Sequence, residues 1–167
     1  MKKLAISVLF SFLFSSIIAQ NGSQQIPPYK RFPSLPPMKL LLIDSTTWFT
    51  TENVPSKTAT MVMLFDPDCE HCQKETQDII NQIDKFKNIT IIMATPLAFG
   101  KIKEFYNRYN LNRFKNIIVG RDVSFTLPVF YNVSNLPLLA FYTKKGKLID
   151  TFEGNLSIAK ILGKFKE

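Results

Sequence analysis

The sequence predicts an α/β domain with a central mixed β-sheet and helices on both faces. Three observations predict it. Residues 60–65 are apolar almost throughout, as expected of a strand buried on both faces. From there on, short apolar runs alternate with segments of helical period. Near the C-terminus, two strand-like runs flank the turn Lys145-Gly146, so a sheet that begins parallel ends in an antiparallel hairpin. The 167 residues suit one domain with one sizeable core, and 46% apolar against 20% charged residues is ordinary for a globular protein.

Residues 1–19 read as a signal peptide. Lys2 and Lys3 form the charged start, residues 4–14 the apolar core, and Ile17-Ile18-Ala19 a cleavage site before Gln20. The apolar stretch is short for a bilayer span and is interrupted by Ser7, Ser11, Ser15 and Ser16, so cleavage is favoured over an N-terminal anchor. An extracytoplasmic, periplasmic location follows. Without the two leader lysines the net charge falls from +8 to +6, and the remaining basic residues are interleaved with core residues rather than gathered in a tract. That argues for a solvated surface and against a nucleic-acid partner.

Residues 20–38 hold five prolines among polar residues and read as a Pro-rich linker, or an arm lying on the domain that spans 39–167. Residues 39–43 are a strand candidate. The Ser/Thr-rich stretch 44–57 reads as a loop with a helical turn around Trp48-Phe49, whose rings serve packing. The buried strand 60–65 leads into a helix predicted over 69–86, with Cys72, Thr76, Ile79, Ile80 and Ile83 on one face. Residues 88–95 form another strand. Residues 98–109 form a helix with Ile102, Phe105, Tyr106 and Tyr109 inward, and residues 116–119 a short strand stopped by Gly120. A brief helix over 124–131 carries Pro128 in its first turn, where a missing N–H costs nothing. The hairpin strands are 138–143 and 147–152, and a helix over 156–165 closes the chain. The four Asn-x-Ser/Thr triplets, at Asn21, Asn88, Asn132 and Asn155, are read as chance in a chain with a bacterial-looking leader.

Both cysteines of the chain stand in Asp66-Pro67-Asp68-Cys69-Glu70-His71-Cys72, at the seam between the buried strand and the helix. Two thiols separated by two residues can close a short disulfide, and unpaired N–H groups at a helix N-terminus favour a thiolate. As a structural staple such a pair would contribute little, because the entropy gained grows with the loop closed. As a zinc site it would offer only Cys69, His71 and Cys72, and His71 is the sole histidine. No metal and no bound cofactor is therefore expected, and a redox dithiol is the reading.

Buried strand, Cys-x-x-Cys and helix together resemble the active-site corner of the thioredoxin superfamily, especially the extracytoplasmic TlpA/ResA-like redoxins of bacteria. The likeness covers roughly residues 40–165. It extends to Asn135-Leu136-Pro137 before the apolar strand at 138–143, and to the Lys145-Gly146 turn. The resemblance implies a thioredoxin-like fold and a thiol–disulfide oxidoreductase. In it Cys69 attacks, Cys72 resolves the mixed disulfide, and a cis-proline at Pro137 faces the dithiol while the Leu136 backbone pairs with a substrate strand.

Neighbours of the thiols tune the potential. His71 resembles the histidine of the oxidising Cys-Pro-His-Cys enzymes, and Glu70 the glutamate of the Cys-Glu-Pro-Cys reductases. Asp68 is predicted to cap the helix. The helix terminus and a charged His71 stabilise a thiolate while Asp66, Asp68 and Glu70 oppose it, which leaves the potential between about −270 and −120 mV and the direction of electron flow open. Two departures from the family stand out. Its tryptophan before the first cysteine is Asp68 here. Its buried aspartate corresponds to Met63, so Glu70 or water would have to take the Cys72 proton. The expected partners are envelope proteins with disulfides or thiols and a membrane redox partner, met by a monomer. The alternative is a redox-inactive thioredoxin-fold binding module.

Overall fold

The computed structural model describes residues 26–166. The signal-peptide reading of residues 1–19 and the first residues of the Pro-rich segment lie outside the described residues. The segment from 26 to 38 is an arm lying on the domain. It contains a single helical turn, α1 (Pro28–Arg31), whose Tyr29 ring sits 6.1 Å from that of Tyr131. Leu35 N–H donates to the Gly146 carbonyl at 2.9 Å, Leu148 N–H donates to that of Pro33 at 2.9 Å, and Met38 is buried.

Seven strands form one sheet in the order β2-β1-β5-β4-β3-β6-β7. The strands are β1 (Lys39–Leu42), β2 (Trp48–Thr50), β3 (Ala59–Leu64), β4 (Ile89–Thr95), β5 (Ile117–Arg121), β6 (Leu138–Tyr142) and β7 (Leu148–Glu153). The pairs β3–β4 and β4–β5 are parallel, and the others are antiparallel. Every residue of β3 and β4 is buried, which is why both read as near-continuous apolar runs. Alternate side chains serve opposite faces. Met61, Met63, Ile91 and Met93 meet α2 (Glu70–Asn81), α3 (Phe99–Arg108) and α5 (Ile158–Lys164). Val62, Leu64, Ile92 and Ala94 meet α4 (Thr126–Tyr131) and the N-terminal arm. The α/β class with helices on both faces is thus the observed architecture.

Several local expectations are corrected. Residues 48–50 are a strand, not a helical turn. The Asp44 carboxylate accepts the N–H groups of Thr46 (2.9 Å) and Thr47 (2.8 Å) and the Thr47 hydroxyl (2.5 Å), closing a turn that folds β2 back on β1. Those bonds hold the Asp44 carboxyl down at about 2, the Thr47 hydroxyl contributing most. Phe49 packs inward as predicted, whereas Trp48 is half exposed under the Lys39 ammonium, 4.6 Å from its ring centroid. Helix α2 ends at Asn81 and a 3-10 turn carries the chain through Ile83–Phe86, bringing Phe86 into the core.

Gly120 does not stop β5 but lies within it, opposite Leu42 of β1. A Cβ there would stand 2.7 Å from Leu40 Cβ and 3.3 Å from the Leu41 carbonyl oxygen. The glycine permits close approach of two backbones, which a sequence reading takes for a breaker.

Candidate active site

The parallel strands β3, β4 and β5 all end at one edge of the sheet, where loops in α/β folds collect functional groups. Strand β6 runs the other way, and Leu138 pairs with Leu64. That register sets the residues just before β6 against those just after β3. It brings Leu136-Pro137, joined by a cis peptide bond, to the Cys-x-x-Cys turn. Cys69 Sγ lies 3.9 Å from the Leu136 carbonyl oxygen, a weak S–H···O contact across 67 residues of chain.

The turn into α2 is built by its own polar groups. Cys69 N–H donates to the Asp66 carbonyl at 3.1 Å, Asp68 N–H to the Asp66 carboxylate at 2.8 Å, and the Gln73 amide to the Pro67 carbonyl at 2.9 Å. Cys69 itself holds the N-cap position, with no side-chain cap. The expected capping role of Asp68 is therefore corrected. Asp68 stands one residue too early and is exposed, and its carboxylate pairs with the Lys101 ammonium on α3. That pairing raises the lysine above its ordinary value and offsets the negative charge of Asp68 beside the thiols. In the sequence Lys101 is one of the basic residues interleaved with core residues, and nothing there links it to Asp68.

The two thiols differ in environment. Cys69 is partly exposed, and Cys72 is fully buried one turn into the helix, against β3 and its neighbours. Burial pushes the Cys72 thiol well above its ordinary value, only partly opposed by the Asp66 backbone. Glu70 is exposed in the first turn. Leu136 is partly buried and Pro137 buried.

A residue the sequence reading passed over lies on the same helix face as Cys72. Glu75 is fully buried. Its Oε2 accepts Leu156 N–H at 2.9 Å and the Asn155 amide at 3.0 Å, whereas Oε1 has no hydrogen-bond partner among the described residues. Burial raises the carboxyl above its ordinary 4.5, with the Asn155 and Leu156 bonds pulling the other way. Asn155, read from the sequence as part of a chance triplet, also donates to the His71 carbonyl at 2.7 Å, and its Oδ1 lies 3.0 Å from His71 Nδ1. The sequence did carry a signal for Glu75. It is an acid at an inward position of an amphipathic helix, between Cys72 and Ile79. Among the described residues, no three His, Cys, Asp or Glu side chains group so as to hold a metal ion.

No family model and no curated protein matches the sequence. Solved structures do match. A secreted Mycobacterium tuberculosis disulfide oxidoreductase, described as homologous to E. coli DsbE, shares 18% identity at a TM-score of 0.63, over 76% of this chain and 92% of that one. DsbF of M. tuberculosis, solved in mixed oxidised and reduced forms, shares 19% at 0.64 over 76% and 91%. StoA of Bacillus subtilis shares 14% at 0.60 over 79% and 98%. At these identities the likeness is one of fold. The chain has the thioredoxin-like fold of these redoxins.

Proposed function

We propose that this chain is a thiol–disulfide oxidoreductase of the bacterial envelope, exchanging electrons with protein disulfides and dithiols through Cys69 and Cys72. The observation that carries the reading is the convergence of a partly exposed thiol, a buried second thiol one turn on, and the Leu136-Pro137 backbone at one sheet edge. In the reducing direction the Cys69 thiolate attacks one sulfur of a partner disulfide. That S–S bond breaks, and the departing sulfur takes up a proton. Cys72 then attacks Cys69 Sγ, the bond from Cys69 to the partner sulfur breaks, and the Cys72 proton passes to that leaving sulfur, directly or through water, releasing the second partner thiol. Two electrons pass from the protein dithiol to the partner, and the reverse sequence oxidises a partner dithiol. Burial raises the Cys72 thiol and so keeps the resolving group protonated in the reduced protein. In this reading Leu136 offers its backbone to an extended partner strand, Glu70, His71 and Asp68 tune the pair, and no cofactor is needed.

The envelope location rests on the leader-like residues 1–19 and on likeness to redoxins one of which is described as secreted. Among the described residues no helix is long and apolar enough to cross a membrane. A membrane redox partner would return the dithiol to its working state.

The test combines equilibration with glutathione buffers, alkylation of the reduced protein, and Cys72→Ser as a trap. The expected result is a reversible Cys69/Cys72 couple, alkylation of Cys69 ahead of Cys72, and mixed disulfides captured on Cys69. A potential near about −270 mV would mark a reductase and one near about −120 mV an oxidant. A pair that never exchanges, with nothing trapped, would replace the enzyme by the redox-inactive binding module.

A further inference from the structure

The hydrogen bonds around Asn155 decide which nitrogen of His71 carries its proton. Asn155 Nδ2 faces the His71 backbone carbonyl at 2.7 Å and Glu75 Oε2 at 3.0 Å. A carbonyl oxygen can only accept, so the amide nitrogen must be on that side and Oδ1 on the other. Oδ1, an acceptor, lies 3.0 Å from His71 Nδ1, which must therefore be the donor. Glu75 is itself pinned by Leu156 N–H at 2.9 Å and is fully buried, so the anchor of this chain is fixed in the body of the fold.

We propose that Asn155, anchored on Glu75, is a positioning residue for His71, holding its imidazole in the Nδ1–H form and in one orientation. His71 stands between Cys69 and Cys72 in the chain, and Nε2 is then the nitrogen that carries no proton in the neutral ring. The arrangement has the form of a histidine oriented by a neighbour on its other nitrogen, with an amide in place of the more usual carboxylate. The carboxylate is present but stands one bond further away, behind the amide. The two links cross the fold from α2 to the loop between β7 and α5, 84 residues along the chain, so they form only when that loop is seated. The effect on the dithiol rests on the oxidoreductase reading, but the proton's place on the ring does not.

The test has two parts. In protein with 15N-labelled histidine, correlation spectra of the single imidazole report which nitrogen is protonated in the neutral ring. The expected result is Nδ1–H in the native protein and a return toward Nε2–H, the form that a free imidazole side chain prefers in water, in Asn155→Ala. In glutathione buffers, Asn155→Ala should move the dithiol–disulfide equilibrium constant about two- to tenfold, the range for one hydrogen bond, toward the value of His71→Ala. The effect should shrink in a His71→Ala background, where Asn155 keeps only its bonds to the residue-71 carbonyl and to Glu75. A native ring protonated on Nε2 would overturn the proposal, as would an Asn155→Ala effect that persists undiminished without His71. If the dithiol exchanges with glutathione in no variant, the oxidoreductase reading fails, while the native spectrum still decides whether Asn155 holds the ring.

Discussion

Glu75→Ala removes a buried side chain of α2 that bonds to the loop between β7 and α5. Its Oε2 accepts two donors, Leu156 N–H at 2.9 Å and the Asn155 amide at 3.0 Å. Leu156 is buried, so alanine leaves its N–H without a partner, at a cost of about 1–3 kcal/mol. The Asn155 amide keeps the His71 carbonyl, so losing its second acceptor costs about 0.5–1.5 kcal/mol. Relief of the buried, unpartnered Oε1 offsets part of this, and a net loss of about 1–4 kcal/mol is expected. Glu75→Gln separates the charge from the bonds, because one amide oxygen can still serve both donors. The sign of the pH effect follows from burial. A carboxyl raised above 4.5 in the folded state binds its proton more tightly there, so its contribution is fully present below 4.5 and is lost as pH rises through the folded value. Stability of Glu75→Gln relative to the native protein should therefore improve as pH rises above about 4.5. Urea unfolding followed by the fluorescence of Trp48, the only tryptophan, measures both effects at a series of pH values from 4 to 8. The reasoning is refuted if Glu75→Ala lies within about 1 kcal/mol of the native protein, or if the difference between Glu75→Gln and the native protein is flat in pH.

Two further substitutions test the packing that frames the site. Gly120→Ala places a Cβ 2.7 Å from Leu40 Cβ, an atom fixed to its backbone, so β1 and β5 must move apart and the urea midpoint should fall by the equivalent of about 1–3 kcal/mol. The buried Tyr131 and Tyr142 hydroxyls bond each other at 2.5 Å, so Tyr131→Phe should cost about 1–3 kcal/mol by orphaning its partner, and Tyr131→Phe with Tyr142→Phe should recover most of it in a double-mutant cycle.

What could be read from the sequence followed short-range rules. The apolar runs at β3 and β4 announced strands buried on both faces. The inward period of α2 showed a helix opening at the cysteines, and Lys145-Gly146 marked the final hairpin. Errors fell where a residue acts through a partner distant in sequence. Gly120 looked like a stop, because only the facing Leu40 shows why a side chain is forbidden there. Residues 44–50 looked like a loop with a helical turn for a different reason, since the bonds by which Asp44 turns the chain back onto β1 are local and the Ser/Thr-rich composition hides them. Asp68 looked like a cap, because Lys101 is 33 residues away.

The sequence by itself determined the α/β class and the placing of both thiols at the mouth of a helix. Those follow from the periodicity of side chains along single elements and from residues adjacent in the chain. Tertiary structure alone decided that Leu136-Pro137 faces Cys69, that Cys72 is buried, and that the sole histidine is tied through Asn155 to a buried acid. The reason is register. Leu64 pairs with Leu138 across 74 residues, and no local propensity along either segment encodes which strand lies beside which until the whole sheet assembles.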